Sequence, residues 1–147
     1  MNEPIRIFVD TNVFVYSLDS SDPTKQALAR KWIDALWMSQ AGRISWQVLH
    51  EFYVTAARKL RVEQPRCREI VESLTLWHPT DVTFGLIERA WHWIDSAQLS
   101  YWDSLILAAA ERQGCQWLLT EDLSSGRNYG TVRVINPFNQ SPESIGI

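Results

Sequence analysis

Cysteine is scarce in this 147-residue chain: Cys67 and Cys115 stand alone, in no CxxC pair and no Cys/His cluster. Two isolated thiols suit a reducing compartment. No apolar run reaches membrane-spanning length, and the N-terminus lacks a basic segment followed by an apolar one. The expectation is a cytoplasmic protein without membrane contact. Gly-rich phosphate loops are missing, since neither GxGxxG nor GxxxxGKS/T occurs. His50-Glu51 opens like a zincin helix, but Val54 stands where the second histidine belongs, so that chemistry fails. The three histidines, His50, His78 and His92, form no pair of the kind that a metal-free ribonuclease needs to move protons. Positive charge is not in surplus either. Fourteen Lys and Arg face seventeen Asp and Glu, a net charge of -3. A plain nucleic-acid binder should be basic. The objection weakens if some carboxylates hold metal, because two divalent ions would add about +4.

What is present is a globular composition, 46% hydrophobic and 21% charged. The length suits one domain, read as residues 1–138 with a C-terminal tail over 139–147. Eight Trp are many for this size, and most should lie in the core. Strands are expected at 5–9, 43–45, 76–79, 116–120 and 131–135. Helices are expected between them. The one from Ser20-Ser21-Asp22-Pro23 should bury Ala27, Leu28, Ile33, Leu36 and Trp37. The next, from Trp46 to Leu60, carries an apolar stripe of Leu49, Phe52, Tyr53, Ala56 and Leu60. A helix over 83–98 should turn Leu86, Ile87, Ala90, Trp91 and Ile94 inward, and Leu105 to Ala110 is apolar all round, as in a deeply buried helix. Alternating strands and helices, with no hairpin signal, predict an α/β fold of three layers around a parallel sheet of about five strands.

Two strands run directly into acids: Val9 into Asp10, and Thr120 into Glu121-Asp122. Ligand crevices in such sheets open at the carboxyl ends of the strands. Glu51 and Asp103, early in two helices, are able to join them. Each has a bland reading as well. Asp10 is a natural helix cap, Ser100-x-x-Asp103 resembles a capping box, and Glu121-Asp122 suits a solvated turn. Glu51 lies opposite the apolar stripe, beside Gln47, Thr55 and Arg58, where periodicity predicts exposure. As a set, however, carboxylates gathered at one edge need compensation. Two of them about 4 Å apart repel by roughly 4 kcal/mol at an effective dielectric near 20. An all-oxygen donor set suits Mg²⁺ or Mn²⁺, ions that commonly act on phosphates.

Four stretches occur in order: Phe8-Val9-Asp10-Thr11-Asn12, then Ser45 to Phe52 around Glu51, then Tyr101-Trp102-Asp103-Ser104 with its apolar continuation, then Leu118-Leu119-Thr120-Glu121-Asp122-Leu123. Together they resemble the PIN-domain nuclease family, and within it the VapC-type toxins of bacterial toxin–antitoxin pairs. The resemblance runs from about Ile5 to Phe138. It implies a PIN fold and an Mg²⁺- or Mn²⁺-dependent endoribonuclease site built from Asp10, Glu51, Asp103 and Asp122. Thr11, Asn12 and Thr120 would be supporting groups. Thr-x-Asp selects Asp122, and Glu121 beside it is placed to share or replace that role. The partners implied are an RNA substrate, a cognate antitoxin and, as is typical of the subfamily, a second copy in a homodimer. Arg58, Lys59 and Arg61, in the densest basic stretch, are candidates for tracking an RNA backbone, with a solvated helix connection as the alternative. Tyr101 and Trp102 are candidates for stacking a base, with core packing as theirs. The rival from another class is a non-catalytic PIN-like module that binds RNA or protein.

Overall fold

The computed structural model describes residues 3–147. In chain order the elements are β1 (Ile7–Val9), α1 (Thr11–Leu18), α2 (Pro23–Ser39), β2 (Gly42–Arg43), α3 (Trp46–Arg58), α4 (Gln64–Leu74), α5 (Phe84–Ala97), α6 (Tyr101–Arg112), β3 (Trp117–Leu119), β4 (Asn128–Tyr129) and β5 (Val132–Ile135). Polar caps open the helices where the sequence supplies them. Asp22 accepts from Lys25 N with Pro23 in the first turn, Ser45 accepts from Val48 N, Thr83 from Leu86 N and Ser100 from Asp103 N.

The helices flank a five-stranded sheet of order β2-β1-β3-β5-β4, giving three α/β/α layers. β1 pairs in parallel with β2 and β3, and β3 in parallel with β5. The sheet is not wholly parallel, however. β4 runs antiparallel to β5 through a hairpin with Gly130-Thr131 at its tip, and Gly130 takes φ +60°. A glycine in a two-residue loop is a hairpin signal, and here it closes a strand too short to show a pattern of its own. The strand expected at 76–79 is also absent. Residues 75–77 form a 3-10 turn, His78 is left-handed at φ 54°, and only Thr80 makes a single parallel bridge, to Ser45. Trp77 explains the turn: its indole is buried between Phe14 and Trp37, with ring centroids 5.6 and 5.1 Å away, and packs on the backbone of Gly42.

The core faces follow the predicted pattern with local rotations. α3 buries Val48, Leu49, Phe52 and Ala56, and α6 buries every residue from Ser104 to Ala110. α2 turns Ala29, Trp32 and Leu36 inward, while Leu28, Ile33 and Trp37 are half-buried and Ala27, expected inside, is exposed. On α5, Leu86 and Ala90 are buried as expected, but Trp91 is exposed and Trp93 is buried instead. Five Trp belong to the core or pack on it, and Trp46, Trp91 and Trp102 are exposed. The Trp32 indole N–H reaches both Pro137 O and Gln140 O at 3.0 Å, holding the start of the C-terminal segment on α2. That segment then makes a 3-10 turn over Pro142–Ile145. Among the described residues no helix is long and apolar enough to cross a membrane.

Candidate functional site

The site follows from the register of two strands. β1 and β3 are parallel neighbours with Val9 opposite Leu119, so Asp10 and Thr120 leave the sheet side by side. Asp10 N donates to Leu119 O at 3.0 Å. Asp10 also caps α1, its Oδ1 accepting from Thr11 N at 2.7 Å. Its Oδ2 accepts from the Thr120 hydroxyl at 2.8 Å. Thr120 Oγ1 in turn accepts from Asp122 N at 3.1 Å, which curls the chain after β3 back toward the strand end. Asn12 Nδ2 donates to Asp122 Oδ2 at 3.0 Å. Asp103 arrives from the first turn of α6, whose buried body fixes its height. One carboxylate oxygen from each of Asp10, Asp103 and Asp122 lies within 4.8 Å of the others.

Glu51 stands outside that trio but on the same cleft, a groove of about 380 Å³. It is exposed, as its periodicity predicts, and it faces the acids even so. Gln47 Nε2 donates to its Oε1 at 2.7 Å and Thr11 Oγ1 to its Oε2 at 3.4 Å. Thr11 therefore holds Asp10 through its backbone and Glu51 through its hydroxyl.

Burial sets the electrostatics. Asp10 is only 5% exposed, and desolvation pushes its pKa up to about 7, with the charges of Asp122 and Glu51 adding to the rise. The hydrogen bonds from Thr120 and Thr11 N act the other way and are outweighed. Asp103 is raised too, by desolvation first and by Asp122 as well, against the Ser100 hydroxyl. Among the described residues no imidazole or thiol lines the cleft, so the donors are hard oxygens. This set fits Mg²⁺ or Mn²⁺ and does not fit a structural zinc site.

The remaining candidates divide. Glu121 lines the cleft, but both its carboxylate oxygens are taken, by Tyr16 OH and by Lys25 Nζ, each at 2.8 Å. Lys59 lines the cleft, while Arg58 and Arg61 stand away from it. Trp102 is 64% exposed at the lip between the acids and a larger groove of about 950 Å³, and Tyr101 lines that second groove. Sequence reasoning places Gln47 beside Glu51, four residues apart on one helix face, but misses the contacts of Lys25 and Tyr16.

Fold and site together define an α/β/α domain with a carboxylate cluster at the C-terminal edge of its sheet. The chain belongs to the PIN domain family, whose model matches residues 7–127. Its fold is similar to that of a chain from a toxin–antitoxin complex of Klebsiella pneumoniae, at 21% identity and a TM-score of 0.61, over 89% of this chain and 97% of the other. It is also similar to VapC20 of Mycobacterium tuberculosis, a sarcin–ricin loop cleaving toxin. There the identity is 23% and the TM-score 0.57, over 76% of this chain and 86% of the other. No curated protein sequence matches the chain.

Proposed function

We propose that the protein is a Mg²⁺- or Mn²⁺-dependent endoribonuclease and the toxin of a toxin–antitoxin pair. The observation that carries this is the convergence of Asp10, Asp103 and Asp122 within 4.8 Å, with Asp10 buried and short of compensation. Membership of the PIN family and the two toxin folds support the substrate class. Asp10 and Asp103 would hold the ion from the protein side and Asp122 from the open side. When bound, such an ion supplies positive charge that neutralises the carboxylates and offsets charge developing on the phosphate. Thr120, Thr11 and Asn12 keep those carboxylates aimed without reorganisation. Glu51, held by Gln47 and Thr11, is placed to orient the attacking water. The products expected are a 5′-phosphate and a 3′-hydroxyl. Lys59 at the cleft would meet the RNA backbone, and Trp102 at the lip would stack an unpaired base. The exposed Trp46 and Val82 around the larger groove favour a homodimer, read by sedimentation.

The test is cleavage of purified cellular RNA by antitoxin-free protein with Mn²⁺, with Mg²⁺ and with EDTA, alongside Asp10→Asn. Cleavage should require metal, vanish in the variant and leave 5′-phosphate ends. Cleavage that survives both EDTA and the substitution would overturn the reading. The rival, a non-catalytic module, predicts no cleavage and no metal-dependent rise in melting temperature.

A further inference from the structure

Glu121 and Asp122 are consecutive acids on one turn, and both line the same cleft. Only one of them faces the centre freely. The Glu121 carboxylate is held at both oxygens, Oε1 by the Tyr16 hydroxyl and Oε2 by Lys25 Nζ. The clamp is itself built from several segments. Tyr16 comes from the last turns of α1. Lys25 comes from the first turn of α2, where Asp22 fixes its backbone N–H. Phe138, beyond β5, packs edge-on against Tyr16 with ring centroids 5.0 Å apart. Lys25 Nζ lies 4.7 Å from the Tyr16 ring centre and 4.9 Å from that of Phe138, so two aromatic rings hold the ammonium as well. The pair is mostly shielded, with side-chain exposures of 34% and 23%. A surface lysine meant only for solubility does not need two rings, a phenol and a carboxylate around it.

We propose that Lys25 and Tyr16 are positioning residues that withhold Glu121 from the acidic centre, leaving Asp122 as the single carboxylate supplied by that turn. The inference rests on the metal-nuclease reading of the site. Its chemistry is a matter of ligand count. A released Glu121 adds negative charge beside the cation and a further carboxylate to its ligands. The cation then binds more tightly, but with fewer open positions and less positive charge for a phosphate. The clamp therefore trades metal affinity for reactivity.

The test measures Mn²⁺ binding to the full-length protein from the electron paramagnetic resonance signal of the free ion, with RNA cleavage measured in parallel. Lys25→Met keeps the packing on both rings and removes the charge. It should bind Mn²⁺ about fivefold more tightly and cleave more slowly. The gain should persist in about 0.5 M KCl, where a charge acting through solvent is screened. Tyr16→Phe should move both readouts the same way by a smaller factor. Lys25→Met combined with Glu121→Gln should return both to the wild-type values. Loss of a purely structural contact would lower affinity, not raise it. Unchanged or weakened binding in Lys25→Met, or a gain that Glu121→Gln does not reverse, would overturn the inference while leaving the metal centre standing. Absence of Mn²⁺ binding in the wild type would overturn the metal centre and this inference with it.

Discussion

Asp10→Asn should make the metal-free protein more stable at pH 8 and do so much less at pH 5. The reason is the burial of Asp10, which raises its pKa from an ordinary 3.8 to about 7 in the folded, metal-free state. The sign follows from proton linkage. Between these two values the folded chain holds a proton that the unfolded chain has released. Wild-type stability therefore falls as pH rises from about 4 to 7 and levels off above that. From pH 5 to pH 8 the folded carboxyl ionises, and the loss over that interval is about 2–3 kcal/mol. Asparagine does not titrate, so the stability difference between variant and wild type should widen by the same amount. At pH 5 the wild type has already lost about 1.5–2 kcal/mol by the same linkage, and the variant gives back part of that advantage because it lacks the Thr120 hydrogen bond to Asp10 Oδ2. Its loss is worth about 1 kcal/mol and does not vary over this range. For a domain of this length the widening corresponds to roughly 5–10 °C in melting temperature. Thermal unfolding in EDTA at pH 5, 6, 7 and 8 measures it. Mn²⁺ at about 1,000 times its Kd should reverse the order at pH 8, since it adds about 4.1 kcal/mol to the wild type alone. A difference between the two proteins that stays constant from pH 5 to pH 8 would refute the reasoning.

Two further substitutions test the frame around the acids. Thr120→Val removes the donor to Asp10 and the acceptor for Asp122 N, and should lower stability by about 1–3 kcal/mol and weaken Mn²⁺ binding, read by unfolding and by metal titration. Gly42→Ala would place a Cβ 2.5–2.8 Å from three atoms of the buried Trp77 ring. It should lower the melting midpoint by the equivalent of about 1–3 kcal/mol, with the change also visible in Trp fluorescence.

Much of the site is legible in the sequence. Asp10 and Asp122 each follow an apolar run, and strand ends are where a parallel sheet offers its groups. Asp103 lies in the first turn of a helix too apolar to be anywhere but inside. Glu51 is legible only through the family resemblance. Its periodicity points away from the core, and so does the side chain, because the cleft is itself open to solvent. Where local pattern and structure disagree, a tertiary partner outweighs the pattern. Leu76-Trp77-His78-Pro79 has strand-like composition, but the cage around Trp77 bends the chain into a 3-10 turn. Trp91 and Trp93 are equally apolar, and only the packing of α5 on α6 decides that Trp93 goes inward. There it lies edge-on to Tyr129 at 5.7 Å and donates to Glu111.

The sequence by itself determined the order of most elements, the buried α6, the helix caps and the identity of the acids, because these depend on neighbours within a turn or a strand. The tertiary structure alone decided which acids meet. Val9 opposite Leu119 is a pairing across 110 residues, and it brings Thr120 to Asp10 and Asp122 to Asn12. It also set apart two adjacent acids that composition cannot separate. Tyr16 and Lys25 sit 105 and 96 residues from Glu121, and their contacts occupy it, while an Asp122 oxygen lies within 4.8 Å of those of Asp10 and Asp103. No local pattern encodes such a choice, because the energy that makes it comes from groups that are neighbours only after the chain has folded.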